Sequence, residues 1–222
     1  MPKAIGKTEE TNDVIVLLEK LNNGVYRLKG TMAFESSLES IYSVLTDYKK
    51  MVNFIPHCTV SEEVETEGEC TRVRQVRNDS SFSRGFDCMQ MGFRRQQEHR
   101  KRLALGIKIT VKAVLDCRQK EKVNVPGGVK RDLDVQLVEG DFQMYVAKWT
   151  VEQKKITKAD ESSGADDLEL QSTVTYYAEL KPSPWLPFSL IEGKFCHDVK
   201  DQMIGIKNET LKRDASRKPV KC

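Results

Sequence analysis

The chain of 222 residues and 25.3 kDa is long enough to bury a sizeable core, as one large domain or two small ones. With 36 Lys+Arg against 33 Asp+Glu, its net charge of +3 lacks the basic excess of nucleic-acid binders, so no nucleic acid is expected as a partner. No apolar run approaches the ~18 residues of a membrane span, and no apolar segment opens the sequence, so a soluble, intracellular protein is expected, neither secreted nor transmembrane.

Residues 1–12 are polar and patternless and are expected to be disordered. Val14, Val16 and Leu18 then alternate with Ile15, Leu17 and Glu19 up to Asn22-Asn23-Gly24. Asn-Gly between two such runs signals a hairpin, because a tight turn needs positive φ at both central positions. The returning strand carries Tyr26, Leu28, Gly30, Met32 and Phe34 on one face and Arg27, Lys29 and Thr31 on the other.

Ser36-x-x-Glu39 matches a capping box, and Leu38, Ile41, Tyr42 and Leu45 follow at helical spacing. A second short helix is predicted through Tyr48, Met51, Val52 and Ile55, stopped by Pro56. Strands are then predicted at 58–66 and 70–77 with Gly68 between them. A long one follows at 103–118, where Leu103, Leu105, Ile107, Ile109, Val111, Ala113, Leu115 and Cys117 share a face. A strand of that length implies a strongly curved sheet. Further strands are predicted at 131–138, 142–153 and 168–180, with loops at Pro126-Gly127-Gly128 and 158–167.

At the C-terminus the period changes. Ser183 to Pro187 supplies a proline-flanked start, and Ile191, Phe195, Val199, Met203 and Ile206 recur every three or four residues, predicting one amphipathic helix to about 213. A basic, flexible tail, 214–222, is expected after it. The chain thus reads as a single α+β domain over 13–213: a hairpin, two short helices, a run of antiparallel strands and a long helix. A curved sheet with one dry face must cover that face, and only the last helix is long enough to do so. This is the helix-grip arrangement, and a space between sheet and helix is its natural binding site.

Phe34-x-Ser36, Ile41-Tyr42-x-Val44-Leu45-Thr46-Asp47-Tyr48 and Phe54-Ile55-Pro56 together resemble the opening motif of the polyketide cyclase/dehydrase family. That family includes the coenzyme Q-binding START-like proteins of the helix-grip superfamily. Three later pieces resemble it in the same order: Val138-Glu139-Gly140-Asp141-Phe142 with Trp149 downstream, Thr173-Val174-Thr175-Tyr176, and Pro182 to Pro187 leading into Ile191-Glu192-Gly193. The resemblance spans about 14–213. It implies a fold and a hydrophobic cavity; the reaction, if any, is not implied, because such a fold hosts carriers and cyclases alike.

The expected function is therefore binding or carriage of a lipid, isoprenoid quinone or polyketide-like molecule, with a cyclase/dehydrase-type enzyme acting on a ring-forming substrate, or a membrane-docking adaptor using the basic run 94–102, as the alternatives. The expected cavity wall is Ile107, Ile109, Val111, Leu133, Val135, Leu137, Tyr145, Trp149 and Tyr176, with Ile191, Phe195, Val199 and Met203 on the helix. Lys148 and Glu152 face water, which turns Tyr145, Ala147, Trp149 and Val151 inward.

Catalytic chemistry is harder to find. No Walker loop or GxGxxG is present, the three histidines (His57, His99, His197) lack metal-ligand spacing, and no cofactor or metal is expected. Cys196 and His197 are adjacent, but neighbours on a helix point about 100° apart and cannot form a nucleophile–base pair. A cyclase would need an acid or base in the cavity, for which Tyr145, Tyr176 and whichever of Gln75 and Arg77 points inward are the candidates. The six cysteines (Cys58, Cys70, Cys88, Cys117, Cys196, Cys222) include no CxxC pair and are expected as free thiols.

Residues 78–102 depart from the family. Phe82, Phe86, Met89, Met91 and Phe93 precede Arg94, Arg95, Arg100, Lys101 and Arg102, which suits either a solvated charged face or a flap that covers a cavity mouth or docks on an anionic membrane. A plastid location after transit-peptide removal, or a cytoplasmic one, is expected. Oligomeric state leaves no trace in the sequence.

Overall fold

A computed structural model of the chain describes residues 7–11, 14–79, 109–158, 167–184 and 188–217. Its first half contains β1 (Lys7–Thr11), β2 (Val14–Lys20), β3 (Tyr26–Phe34), α1 (Leu38–Leu45), α2 (Met51–Phe54), β4 (Cys58–Glu67) and β5 (Cys70–Asp79). Its second half contains β6 (Ile109–Gln119), β7 (Val123–Val125), β8 (Gly128–Gly140), β9 (Phe142–Lys158), β10 (Asp167–Pro182) and α3 (Phe188–Arg217). The strands form one antiparallel sheet in the order β1-β2-β3-β10-β9-β8-β6-β5-β4, with β7 paired to β8.

The hairpin β2–β3 turns on two consecutive left-handed residues, Asn23 (φ 60°) and Gly24 (φ 74°), as the Asn-Gly signal requires. Its alternation survives folding: Val14, Val16, Leu18, Tyr26, Leu28, Met32 and Phe34 are buried, while Ile15 and Leu17 are exposed. Lys7–Thr11, which carry no hydrophobic pattern, nonetheless form the edge strand β1 against β2. An edge strand is held by main-chain hydrogen bonds, which leave no periodic trace in the side chains.

The helix cap sits one residue later than the capping box places it. Ser37 is the N-cap and its Oγ accepts from the Ser40 backbone N–H at 3.2 Å. Glu39 turns outward to Lys122 at 2.8 Å instead of reaching back. Ser36 is buried, and its carbonyl accepts from Ser172 Oγ at 2.6 Å, which ties the start of α1 to β10.

Register shifts interrupt the β4–β5 and β6–β8 ladders, at Cys58/Val60, Glu63/Glu65 and Val114/Leu115. Such irregularities bend a sheet. α3 covers the inner face and extends to Arg217, one turn beyond the predicted end. Cys196, Val199, Met203, Ile206 and Thr210 form its buried stripe, at helical spacing. Met203 (0% exposed) and Ile206 (1%) fill the contact with β2, β3 and α1, each contributing about 1.5–3 kcal/mol by burial.

That contact is close because two glycines allow it. A Cβ on Gly30 of β3 would stand 2.8 Å from Met203 Sδ and 3.0 Å from Val199 Cγ1. One on Gly205 of α3 would stand 2.2 Å from the Phe54 carbonyl oxygen. Arg213 locks the same end, with its guanidinium 2.9 Å from Asp47 and 2.8 Å from Glu209 and over the Phe54 ring at 6.0 Å. Asp47 and Pro56, both within the recognisable opening motif, thus shape the seat of the helix.

Cys58, Cys70 and Cys117 are free thiols. Burial pushes the Cys117 thiol up to about 12, which leaves it inert. Among the described residues, no helix is long and apolar enough to cross a membrane.

Candidate functional site

A pocket of about 120 Å³ opens between α3 and the inner face of β3, β5, β6, β9 and β10. For scale, an engineered cavity of roughly 150 Å³ admits benzene, so this space holds about one ring or a short length of chain. Its wall is built from strand alternation. On β6, Val111, Ala113 and Leu115 share the inward face, on β9 Phe142 and Tyr145 line the pocket, and on β10 Tyr176 and Leu180 do so. On β5, Val73 is fully buried, so Gln75 and Arg77, two and four residues on, point the same way and line the pocket.

α3 contributes Phe195, Asp198, Val199 and Gln202. Apart from Val199 these lie beside the core stripe, so the helix presents one side to the packed core and an adjacent side to the pocket. The adjacent Cys196 and His197 diverge as expected: Cys196 is buried, while His197 is exposed, 3.8 Å from Asp201.

The aromatic side chains form a continuous path. Phe195 meets Phe142 edge-on at 6.2 Å, and Phe142 stacks on Tyr145 at 5.9 Å. The Tyr145 and Tyr176 hydroxyls share a hydrogen bond of 2.9 Å. Trp149 lies against the Tyr176 ring at 4.6 Å, from within the core. Burial pushes both phenols above their ordinary value, Tyr176 well above it, so both are protonated donors at neutral pH. Arg77 lines the same pocket, and its positive charge acts on both in the opposite direction.

The polar groups gather at the β5 side. Arg77 Nη2 donates to the Pro56 carbonyl at 3.4 Å, and Gln75 Nε2 donates to Ser61 Oγ at 3.3 Å. His57 lines the pocket from the connection after α2 with φ of 62°, and its carbonyl accepts from the Asn78 N–H at 2.9 Å. A non-glycine residue in that region is held there by its surroundings. Among the described residues, no group of three or more His, Cys, Asp or Glu is placed to hold a metal ion.

Of the wall expected from sequence, Val111, Tyr145, Tyr176, Phe195 and Val199 line this pocket. Leu133, Val135, Trp149 and Met203 lie instead in the packed core, and Leu137 packs against it half-buried. Ile107, the side chains of Ile109 and Ile191, and the basic run Arg94, Arg95, Arg100, Lys101 and Arg102 lie outside the described part. His57, weighed from sequence only as a metal ligand, also lines the pocket, as do Asn78, Asp198 and Gln202, which no sequence motif singles out. A signal existed for the last two, polar residues four apart beside the apolar Phe195 and Val199; none existed for His57, whose place depends on a left-handed backbone.

A sequence model described as polyketide cyclase / dehydrase and lipid transport matches residues 35–205. No curated protein matches the chain by sequence. Among solved structures, the chain is similar to a STAR-related lipid transfer protein fragment from Xanthomonas axonopodis, with 10% identity and a TM-score of 0.61 over 93% of this chain and 98% of that one. Human StAR-related lipid transfer protein 5 is similar at 10% identity and TM-score 0.61, over 95% and 88% of the two chains. The Zhui aromatase/cyclase from Streptomyces sp. R1128 is similar at 9% identity and TM-score 0.53, over 85% and 95%. At these identities the structural likenesses speak to the fold, a START-like helix grip, while the sequence match covers most of the chain: it belongs to the polyketide cyclase / dehydrase and lipid transport family.

Proposed function

We propose that this protein binds and carries a hydrophobic small molecule, a lipid, isoprenoid quinone or polyketide-like compound, in the pocket between α3 and the sheet. The observation that carries this reading is the path Phe195–Phe142–Tyr145–Tyr176: an apolar, aromatic-lined recess that ends in two phenol donors. Apolar surface moved out of water there yields roughly 25 cal/mol per Å², so affinity requires a dry recess and no reacting group. The pocket in this conformation is smaller than a whole lipid. A long ligand therefore seats one end and either protrudes or spreads the wall.

The direct test is native mass spectrometry of the purified protein, followed by organic extraction and identification of what co-purifies. A bound isoprenoid, acyl lipid or polycyclic compound supports carriage. A protein that is empty and takes up neither quinones nor fatty acids defeats it.

A second reading, a cyclase or dehydrase, is favoured by the same hydroxyl pair, since protonated phenols in a pocket that a guanidinium also lines suit polarisation of a carbonyl oxygen. It requires turnover of a ring-forming substrate that is lost in Tyr145→Phe or Tyr176→Phe. A third reading, a membrane-docking adaptor, would work through Arg94, Arg95, Arg100, Lys101 and Arg102. Neutralising all five is expected to abolish salt-sensitive binding to anionic vesicles.

A further inference from the structure

The pocket contains a cation, Arg77, that forms no ion pair among the described residues. Arg77 lines an otherwise largely apolar recess, half-buried, and its one hydrogen bond among the described residues goes to the neutral Pro56 carbonyl at 3.4 Å. The other arginines of β5 behave differently. Arg72 is paired with Asp116 at 2.7 Å and Arg74 with Glu62. Asp198 also lines the pocket, yet it forms no ion pair with Arg77 within 4.0 Å. A guanidinium has five donors, and leaving most of them without a carboxylate partner in a recess costs free energy unless something else accepts.

Two further donors converge on the same space. The Tyr145 and Tyr176 hydroxyls are 2.9 Å apart, and one proton of the pair is committed to their mutual bond, which leaves the other to donate outward. Both phenols stay protonated, because burial opposes their ionisation. Arg77 lines the same recess as both tyrosines, so the recess combines a fixed positive charge with a neutral O–H donor. That set matches an anionic oxygen. A neutral hydroxyl or ether uses only part of it.

We infer that the ligand is an anionic amphiphile, an apolar body ending in a carboxylate, whose charged end is received by Arg77 and the Tyr145–Tyr176 pair while its apolar end lies along Phe142, Leu115 and Phe195. The inference rests on the carriage reading and narrows it: within the broad hydrophobic class, acids bind and neutral lipids of the same shape bind less well. Burying a carboxylate is costly unless it is paired and hydrogen-bonded, so discrimination is set by the guanidinium.

The test compares decanoate with decanol, which share a chain and differ in the charged end, by isothermal titration of the full-length protein at neutral pH. Wild type is expected to prefer decanoate by about tenfold or more, the size of a charge-assisted hydrogen bond. Arg77→Gln should lower decanoate affinity far more than decanol affinity and so remove that preference, with the circular-dichroism spectrum showing that the variant is folded. Arg77→Lys, which keeps the charge, should retain most of the preference. Equal binding of acid and alcohol by wild type, or an undiminished preference in a folded Arg77→Gln, overturns the inference and leaves carriage standing. A protein that binds neither compound overturns the inference, and carriage falls with it only if the purified protein is also empty and takes up no quinone.

Discussion

α3 meets the sheet in two ways along one face. Against β2, β3 and α1 it packs without room, and Val16, Met203 and Ile206 are each at most 1% exposed. Against β5, β6 and β9 it leaves the pocket. The difference lies in what the facing positions carry. Gly30 and Gly205 have no Cβ, which lets the Met203 thioether of the helix reach the β3 backbone and the helix backbone reach the Phe54 carbonyl. On the other side, the facing strands carry Gln75, Arg77, Phe142 and Tyr145, whose bulk and polarity hold it off. A cavity here is the consequence of where close approach is permitted and where it is prevented.

The sharpest way to break this contrast is to open the packed end. Met203→Ala removes a fully buried side chain from the α3–β3 contact and is expected to cost about 2–5 kcal/mol, read as a lower urea midpoint at constant m-value. The space it leaves should also raise uptake of apolar ligands. Unchanged stability would mean that the packed end is not the anchor of the helix.

Gly205→Ala probes the same end by overpacking. In an ordinary helix this change stabilises by nearly ~1 kcal/mol. Here the new methyl would meet the Phe54 carbonyl at 2.2 Å, so a loss of about 1–3 kcal/mol is expected, checked by thermal and urea denaturation. A stabilised variant would show that α3 can retreat from α2 without cost.

The smallest effect tests the outward face, away from both ends. The hydrogen bond from Arg72 holds the Asp116 carboxyl below the usual carboxylate range. Because the folded value is depressed, the stabilisation is present in full above the unfolded value of about 3.9 and is lost as pH falls through the lower folded one. Both groups are about a third exposed, so Arg72→Gln is expected to cost only about 0.2–1 kcal/mol at neutral pH, with the difference from wild type vanishing in strong acid. Denaturation midpoints at neutral and strongly acidic pH measure it. A constant difference at every pH would assign the loss to packing.

Much of the architecture was legible because it follows from period. Alternation at Tyr26 to Phe34, the Asn-Gly turn, and the three-and-four spacing of Val199, Met203 and Ile206 each report a local preference that tertiary packing kept. β1 was not legible, since its pairing lies in the main chain. Nor was the displaced cap at Ser37, because Ser36 and Ser37 are chemically equal as caps, and Ser172 decides between them.

The site was legible only as a face. Period two says that Val111, Leu133, Trp149 and Tyr176 point inward, and all four do. It is silent on depth. Trp149 and Leu133 are in the core while Val111 and Tyr176 reach the pocket, because that division depends on how far α3 stands from each strand. By itself, then, the sequence determined the order of the main elements from the β2–β3 hairpin to α3, the dry face and the family, all of which are written in local pattern and motif. Tertiary structure alone decided the volume, the meeting of the Tyr145 and Tyr176 hydroxyls from positions 31 residues apart, and the presence of Arg77 in the same pocket. These depend on the close approach at Gly30 and Gly205 and on the sheet's curvature, properties of no single segment.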